Sequence, residues 1–410
     1  MLPTSLYIHI PWCTQKCPYC DFNSHKQPLN LPEQLYIATL INDLQNDLQL
    51  FAPRVINSIF IGGGTPSLFS AESYYSLFQK IAQLLPFAPN IEITLEANPN
   101  SIDQLRFKGY RQAGINRISI GIQSFNQAHL QALGRSHNAL QAHQAIDVAR
   151  NAGFNNINLD LMHGLPGQTI EQGLEDLQIA IQYAPEHLSW YQLTIEPNTI
   201  FYKKPPNLPH DDLCATLEDL GVELLAAKNF NRYEISAFCK PEHEAQHNLN
   251  YWLFGDYYGI GAGAHCKITD AMTNQVTRMH KYRQPQEYLN NKDRDRNNFP
   301  FLADQTRCAQ TKDLPKAGSY FGNDPYSKFV VSQKNLSAAE LIFEFMLNTT
   351  RLQQKISAAL FTQRTGLKYS ALESQLAQAQ RLGLLNLYAD GWQITAFGRK
   401  FTNNLQQLFL

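Results

Sequence analysis

Six times between residues 6 and 197 a short, strand-like apolar run gives way to a longer stretch of helical character. That alternation limits the fold more than any other feature of the chain. The strand-like runs are LYIHI (6–10), VINSIFIGG (55–63), IEITLEANP (91–99), RISIGIQSF (117–125), NINLDLMHGLPG (156–167) and HLSWYQLTIEP (187–197). Between them, 31–51 and 70–85 carry apolar residues at helical spacing, and 101–114 is expected as a helix capped by Ser101 and stopped by Gly114. Repeated strand–helix units require a parallel sheet with right-handed crossovers, either a partial barrel or a doubly wound sheet.

The glycine-rich and polar residues gather just after the strands: GGGTP (62–66), Glu96 to Pro99, Gln123 to Phe125 and Asp160 to Pro166. Any one of them is ordinary turn chemistry. Together they fall on one edge, the C-terminal rim where parallel α/β folds carry their chemistry. The segment after the first strand lies on that rim too, and it contains Cys13, Cys17 and Cys20, three of only 7 cysteines in 410 residues.

Three thiolates at C-x3-C-x2-C hold three corners of a [4Fe–4S] cube. The other cysteines, Cys214, Cys239, Cys266 and Cys308, are scattered. A cube held by three cysteines keeps one iron open, by the logic that separates open catalytic zinc sites from closed structural ones. The competing readings are a zinc site short of a ligand and buried structural thiols. The net charge of −1 gives no basic excess for nucleic acid. No apolar run approaches the ~18 residues of a membrane span, so any membrane contact is expected to be peripheral. With no signal-peptide pattern, the expected compartment is the cytoplasm, where clustered cysteines point to metal or catalysis.

Past residue 230 the alternation fades. The expected organisation is a barrel over 1–230, an extension over 231–290 containing HNLNYW, an insertion or linker over 291–336, and a C-terminal unit over 337–410. That last unit opens with a strong helix at 338–352 and carries a DG hairpin signal at 390–391, the pattern of a small winged helix without a basic face.

C-x3-C-x2-C after the first strand, with GGGTP after the second, resembles the radical S-adenosylmethionine proteins. The resemblance implies an α/β fold built on a partial (β/α)6 TIM-like barrel, with S-adenosylmethionine chelated to the open iron of a [4Fe–4S] cluster and an electron donor as partner. The segments LYIHIPWC, CPYCDFNSH, IGGGTPSLF, TLEANP, GINRISIGIQSF, ALGRSH, NLDLMHGLPGQT and YQLTIEPNT are similar, in order, to the coproporphyrinogen-dehydrogenase-like branch. Carried over, Tyr7 stands beside the cofactor near the cluster. Gly63, Gly64 and Thr65 admit its methionine end, and Glu96, Gln123, Arg135 and Asp160 bind its polar groups and ribose.

Two features separate the chain from the dehydrogenase. Phe22 stands where that enzyme has a fourth cysteine, and HNLNYW (247–252) followed by FGDYYGIGAGAH resembles the heme chaperones of the branch. The resemblance is weak only across 291–336, and Cys266 departs from the usual small residue. It implies a carrier that takes up heme and passes it to heme-accepting apoproteins, with His247 as the expected axial ligand. His25 and His265 are rival ligands. A packed, hydrogen-bonded His247 is the competing reading, and radical decarboxylation of coproporphyrinogen III the competing activity.

Overall fold

The computed structural model describes residues 2–290 and 328–410. The chain's six expected parallel strands are β1 (Thr4–Ile10), β4 (Ile56–Gly63), β5 (Phe87–Ala97), β6 (Arg117–Gln123), β7 (Ile157–His163) and β8 (His187–Gln192). Two-residue strands β2 (Trp12–Cys13) and β3 (His25–Lys26) pair in parallel and pinch the cysteine loop between them. The short β9 (Asn231–Arg232) and β10 (Ala237–Cys239) extend one side of the sheet; β11 (Asp256–Ile260), β12 (His265–Thr269), β13 (Val276–Lys281) and β14 (Val330–Asn335) extend the other. The order is β14-β13-β12-β11-β1-β4-β5-β6-β7-β8-β10-β9, with β11 parallel to β1 and the outer strands antiparallel.

One cavity is lined both by the loop after β1 and by Ser189 and Tyr191 of β8. The sheet therefore curls into an open barrel instead of lying flat as a doubly wound sheet. Side-chain alternation decides what fills it. Leu6, Ile8 and Ile10, with Ile59, Ile61, Ile118, Ile120, Leu159 and Leu188, are fully buried in the core that the surrounding helices cover. The alternate positions turn inward and are polar or aromatic. Ser5 meets Ser58 at 2.8 Å, Tyr7 lies over Phe60, and Asn158 joins Ser119, Asp160 and His187 in one hydrogen-bonded group.

The helix Gln246–Trp252, which holds HNLNYW, packs against β1 and β4 and closes the barrel from below. Glu92 accepts its first backbone N–H groups, from Gln246 and His247, both at 3.2 Å. A second apolar core is built from Phe345, Phe361, Leu376, Trp392 and their neighbours, on helices Ala338–Thr349, Ala358–Thr365 and Glu373–Arg381 and a three-stranded sheet. Gly391 of the expected DG turn is required there, because a Cβ would sit 2.0 Å from the Ile356 carbonyl oxygen.

Two local expectations are corrected. The helix after β5 is capped by Asp103, whose carboxylate accepts from Arg106 N at 3.0 Å, while Ser101 closes a short turn before it. Of the expected linker at 291–336, residues 291–327 lie outside the described residues, and Val330–Asn335 is a strand paired with β13.

Candidate functional site

The cysteine loop is held against the GGGTP turn by backbone bonds. Gly64 N donates to Ile10 O and Thr65 N to Trp12 O, both at 2.7 Å. The approach is so close that a Cβ on Gly64 would fall 2.5 Å from the Trp12 carbonyl oxygen, and one on Gly63 (φ +112°) 2.4 Å from the His9 ring. The glycines are thus demanded by the protein's own packing, where the sequence suggested an approach to a cofactor.

Cys13, Cys17 and Cys20 line one cavity of about 450 Å³, together with Gly63, Gly64, Thr65, Glu96, Gln123, Arg135 and Asp160. Ten of the residues expected at the site therefore meet. Cys20 N donates to Cys17 O at 3.1 Å, and the Cys20 thiol faces Ser24 Oγ at 3.7 Å. Burial pushes the Cys13 and Cys20 thiols up, and each would be pushed further by charge on its cysteine neighbours. Such a trio of thiolates needs a cationic centre. Among the described residues no three side chains converge on a single metal ion. That geometry disfavours zinc and is compatible with a cube, in which each thiolate takes a different iron.

Among the described residues Arg135 supplies the only guanidinium in the cavity wall. Its Nη1 lies 3.6 Å from Cys17 Sγ and 3.3 Å from Tyr19 Oη, Nη2 donates to Gly121 O at 2.8 Å, and its buried Nε has no partner among the described residues. Across the cavity stand two carboxyls. Burial first, and Asp160 second, push Glu96 up to about 8, against the single bond it accepts from Gly63 N at 3.2 Å. Burial also raises Asp160, although Ser119 Oγ (2.9 Å) and Asn158 Nδ2 (2.7 Å) donate to it. Two carboxyls whose ionised forms desolvation disfavours make a site that gains from a bound cation. Gln123, at φ +68°, turns its side-chain oxygen to accept from Tyr191 Oη at 2.9 Å.

Tyr7 is not on the cavity wall. It lies one step below the rim, its hydroxyl 2.9 Å from His9 Nδ1, and burial raises its pKa. His247 is further still. Its ring is 1% exposed, Nδ1 is 3.1 Å from Ser58 Oγ, Nε2 is 3.0 Å from Tyr251 Oη, and Phe60 stacks on it at 5.2 Å. Burial, with Arg117 second, lowers it to about 3. With both nitrogens engaged inside the barrel, it offers no lone pair to an iron in this conformation. Here the residue keys the helix that plugs the floor, which is the packed reading of its sequence position.

Sequence reasoning missed Tyr191, Ser119 and Ser189, which line the cavity from the strands themselves. Their signal was present in the alternation of HLSWYQ and RISIGIQ, whose polar positions share one face. Phe22 stands at the cavity mouth, 60% exposed.

Comparison with known proteins agrees with this geometry. Residues 7–180 match the radical SAM superfamily and residues 336–401 the HemN C-terminal domain. The chain is 47% identical over 412 residues to the heme chaperone HemW of Haemophilus influenzae, covering 100% of this chain and 98% of that one. It is 43% identical over 408 residues to the heme chaperone HemW of Escherichia coli, with the same coverage. Among solved structures, coproporphyrinogen III oxidase (HemN) of Escherichia coli superposes with a TM-score of 0.77 at 21% identity, over 100% of this chain and 90% of that one. At that identity the likeness is one of fold. No described helix is long and apolar enough to cross a membrane.

Proposed function

The chain belongs to the HemW family of heme chaperones, within the radical S-adenosylmethionine superfamily, and from that premise we propose that it binds heme and hands it to heme-accepting apoproteins. Cys13, Cys17 and Cys20 hold a [4Fe–4S] cluster, and the rest of the cavity holds S-adenosylmethionine. When bound, such a cluster supplies one-electron chemistry and an open iron that chelates an amino acid.

The chain's own residues prepare both sites. Arg135 offsets the charge of the Cys17 thiolate and fastens the loop to β6 through Gly121. Glu96 and Asp160 face the cavity from β5 and β7, and a sulfonium or ammonium there would favour their ionised forms against the desolvation that raises both. Gln123 and Tyr191 offer a coupled donor and acceptor for a ribose. The observation that carries the reading is the full-length identity to heme chaperones, joined to the cavity in which the three cysteines meet two half-buried carboxyls and one arginine. Phe22 at the mouth supports a carrier over a dehydrogenase, because a fourth thiolate is missing there.

The test is anaerobic reconstitution of the cluster, followed by a heme titration and transfer of that heme to an apocytochrome. Uptake of heme and its passage to the acceptor, with no conversion of coproporphyrinogen III, is the expected result. Steady formation of protoporphyrinogen would replace the chaperone with the oxidase.

A further inference from the structure

With His247 enclosed, the question is which histidines can reach an iron. Nine of the 12 histidines lie in the barrel region or its loops before HNLNYW. His9 and His187, like His247, spend both ring nitrogens on internal partners. His137 and His143 each spend one, and His129 and His163 are buried. His25 Nε2 lies 3.3 Å from Asn23 Oδ1, and His210 and His243 have no ring contact with another histidine among the described residues. The exceptions as a pair are His265 and His280. They are cross-strand partners on β12 and β13, with ring centroids 5.6 Å apart and planes at 33°. His265 is exposed and His280 half-buried. No ring nitrogen of either has a hydrogen-bond partner among the described residues.

The pair stands next to the cysteine loop. Asn23 of that loop donates through Nδ2 to Ala262 O and Arg283 O, both at 2.9 Å, strapping the loop to the turns that flank β12 and β13. Gly263 lies so close that its Cβ would fall 2.4 Å from that amide nitrogen. We infer that His265 and His280 form the heme-iron site of the protein, on the sheet extension beside the cysteine loop. This rests on the heme-chaperone reading above and names the site that reading leaves open.

The donor set selects an iron porphyrin. Two imidazoles without a third ligand hold a bare divalent ion poorly, and no third His, Cys, Asp or Glu completes such a group among the described residues. Iron in a porphyrin already has four nitrogens and needs only an axial imidazole. The two rings leave one face of the sheet side by side, so they cannot clasp the porphyrin from opposite faces. One takes the iron and the other lies under the macrocycle. Burial lowers both histidines, followed at His265 by His280, Arg278 and Arg283 and at His280 by Arg283, a direction that favours the neutral imidazole. Exposed Arg283 then stands ready for a propionate.

The test is a heme titration, read by the Soret band and by electron paramagnetic resonance, on cluster-reconstituted wild type, His265→Ala, His280→Ala and the double variant, with iron and sulfide measured in each. Expected are histidine-ligated heme in the wild type, affinity weaker by on the order of tenfold or more in the double variant, unchanged cluster content, and return of the wild-type spectrum when free imidazole is added. An unchanged spectrum and affinity in the double variant would overturn the assignment. So would loss of the signature in His247→Ala with intact cluster while the double variant keeps it, or binding of zinc by the pair with no heme uptake. A wild type that binds heme no better than an unrelated protein would remove the chaperone reading together with the site.

Discussion

At the floor of the barrel His247 touches Ser58, Tyr251 and Phe60 and has nothing left to offer. At the rim, two strand layers higher on β5, Glu96 accepts one bond for two oxygens and Arg135 keeps an unpartnered Nε. Both ends use the same strands and similar residue types. At the floor His247 itself is satisfied, although Asn250 Oδ1 and Trp252 Nε1 of the same helix and Arg117 Nε are buried without a partner among the described residues; at the rim the groups in want of partners line a cavity, the mark of a candidate binding site. The contrast teaches that a conspicuous residue such as His247 is judged by its leftover valence, not by the motif it sits in.

The largest effect that can break this contrast is at the rim. Cys17→Ser should abolish assembly of the iron–sulfur cluster, because two thiolates hold a cube poorly. Iron and sulfide analysis after anaerobic reconstitution checks it; full content in the variant would end the cluster assignment. At the floor the expectation is reversed. His247→Ala should leave reconstitution intact while destabilising the fold by about 2–4 kcal/mol, since Ser58 and Tyr251 lose a buried partner and Phe60 loses a stacked ring. Urea unfolding of the cluster-free protein measures that loss.

How much of this could be read in the sequence differs between the two ends. The barrel was legible because β-strand alternation and helical spacing are local signals, and six of them in succession leave few topologies. The rim was legible because strand ends carry the glycine and polar residues that chemistry requires, so ten expected residues line one cavity. Tyr7 was displaced inward because its position in the first strand fixes the face and not the depth. Between the two readings of His247, ligand or packed side chain, the sequence could not choose, because no local pattern tells whether a histidine's nitrogens are already used; Ser58, its partner here, is 189 residues away. Ser101 lost its expected cap to Asp103 because both residues suit an N-cap and only the packing of the preceding turn decides.

Smaller effects sharpen the rim itself. Asp160→Ala should weaken S-adenosylmethionine binding by about 1–3 kcal/mol if it removes a buried hydrogen bond, measured by calorimetry on cluster-loaded protein. An unchanged affinity would take Asp160 out of the binding set. The gentlest effect is on pH dependence. In the ligand-free fold Glu96 keeps its proton up to about pH 8, against 4.5 for an ordinary glutamate. The folded state thus binds more protons between those values, so its stability is greatest below about 4.5, falls as pH rises, and levels off above about 8. Glu96→Gln should flatten that fall, and an identical slope in the variant would place the titration elsewhere.

What sets the rim apart is the open iron proposed there, beside groups ready for a cation. Its most direct test is the electron paramagnetic resonance spectrum of the reduced, reconstituted wild type as S-adenosylmethionine is added. The predicted result is a shift of the cluster signal that saturates at one equivalent per chain. A full complement of cluster whose signal does not change at saturating S-adenosylmethionine would contradict it.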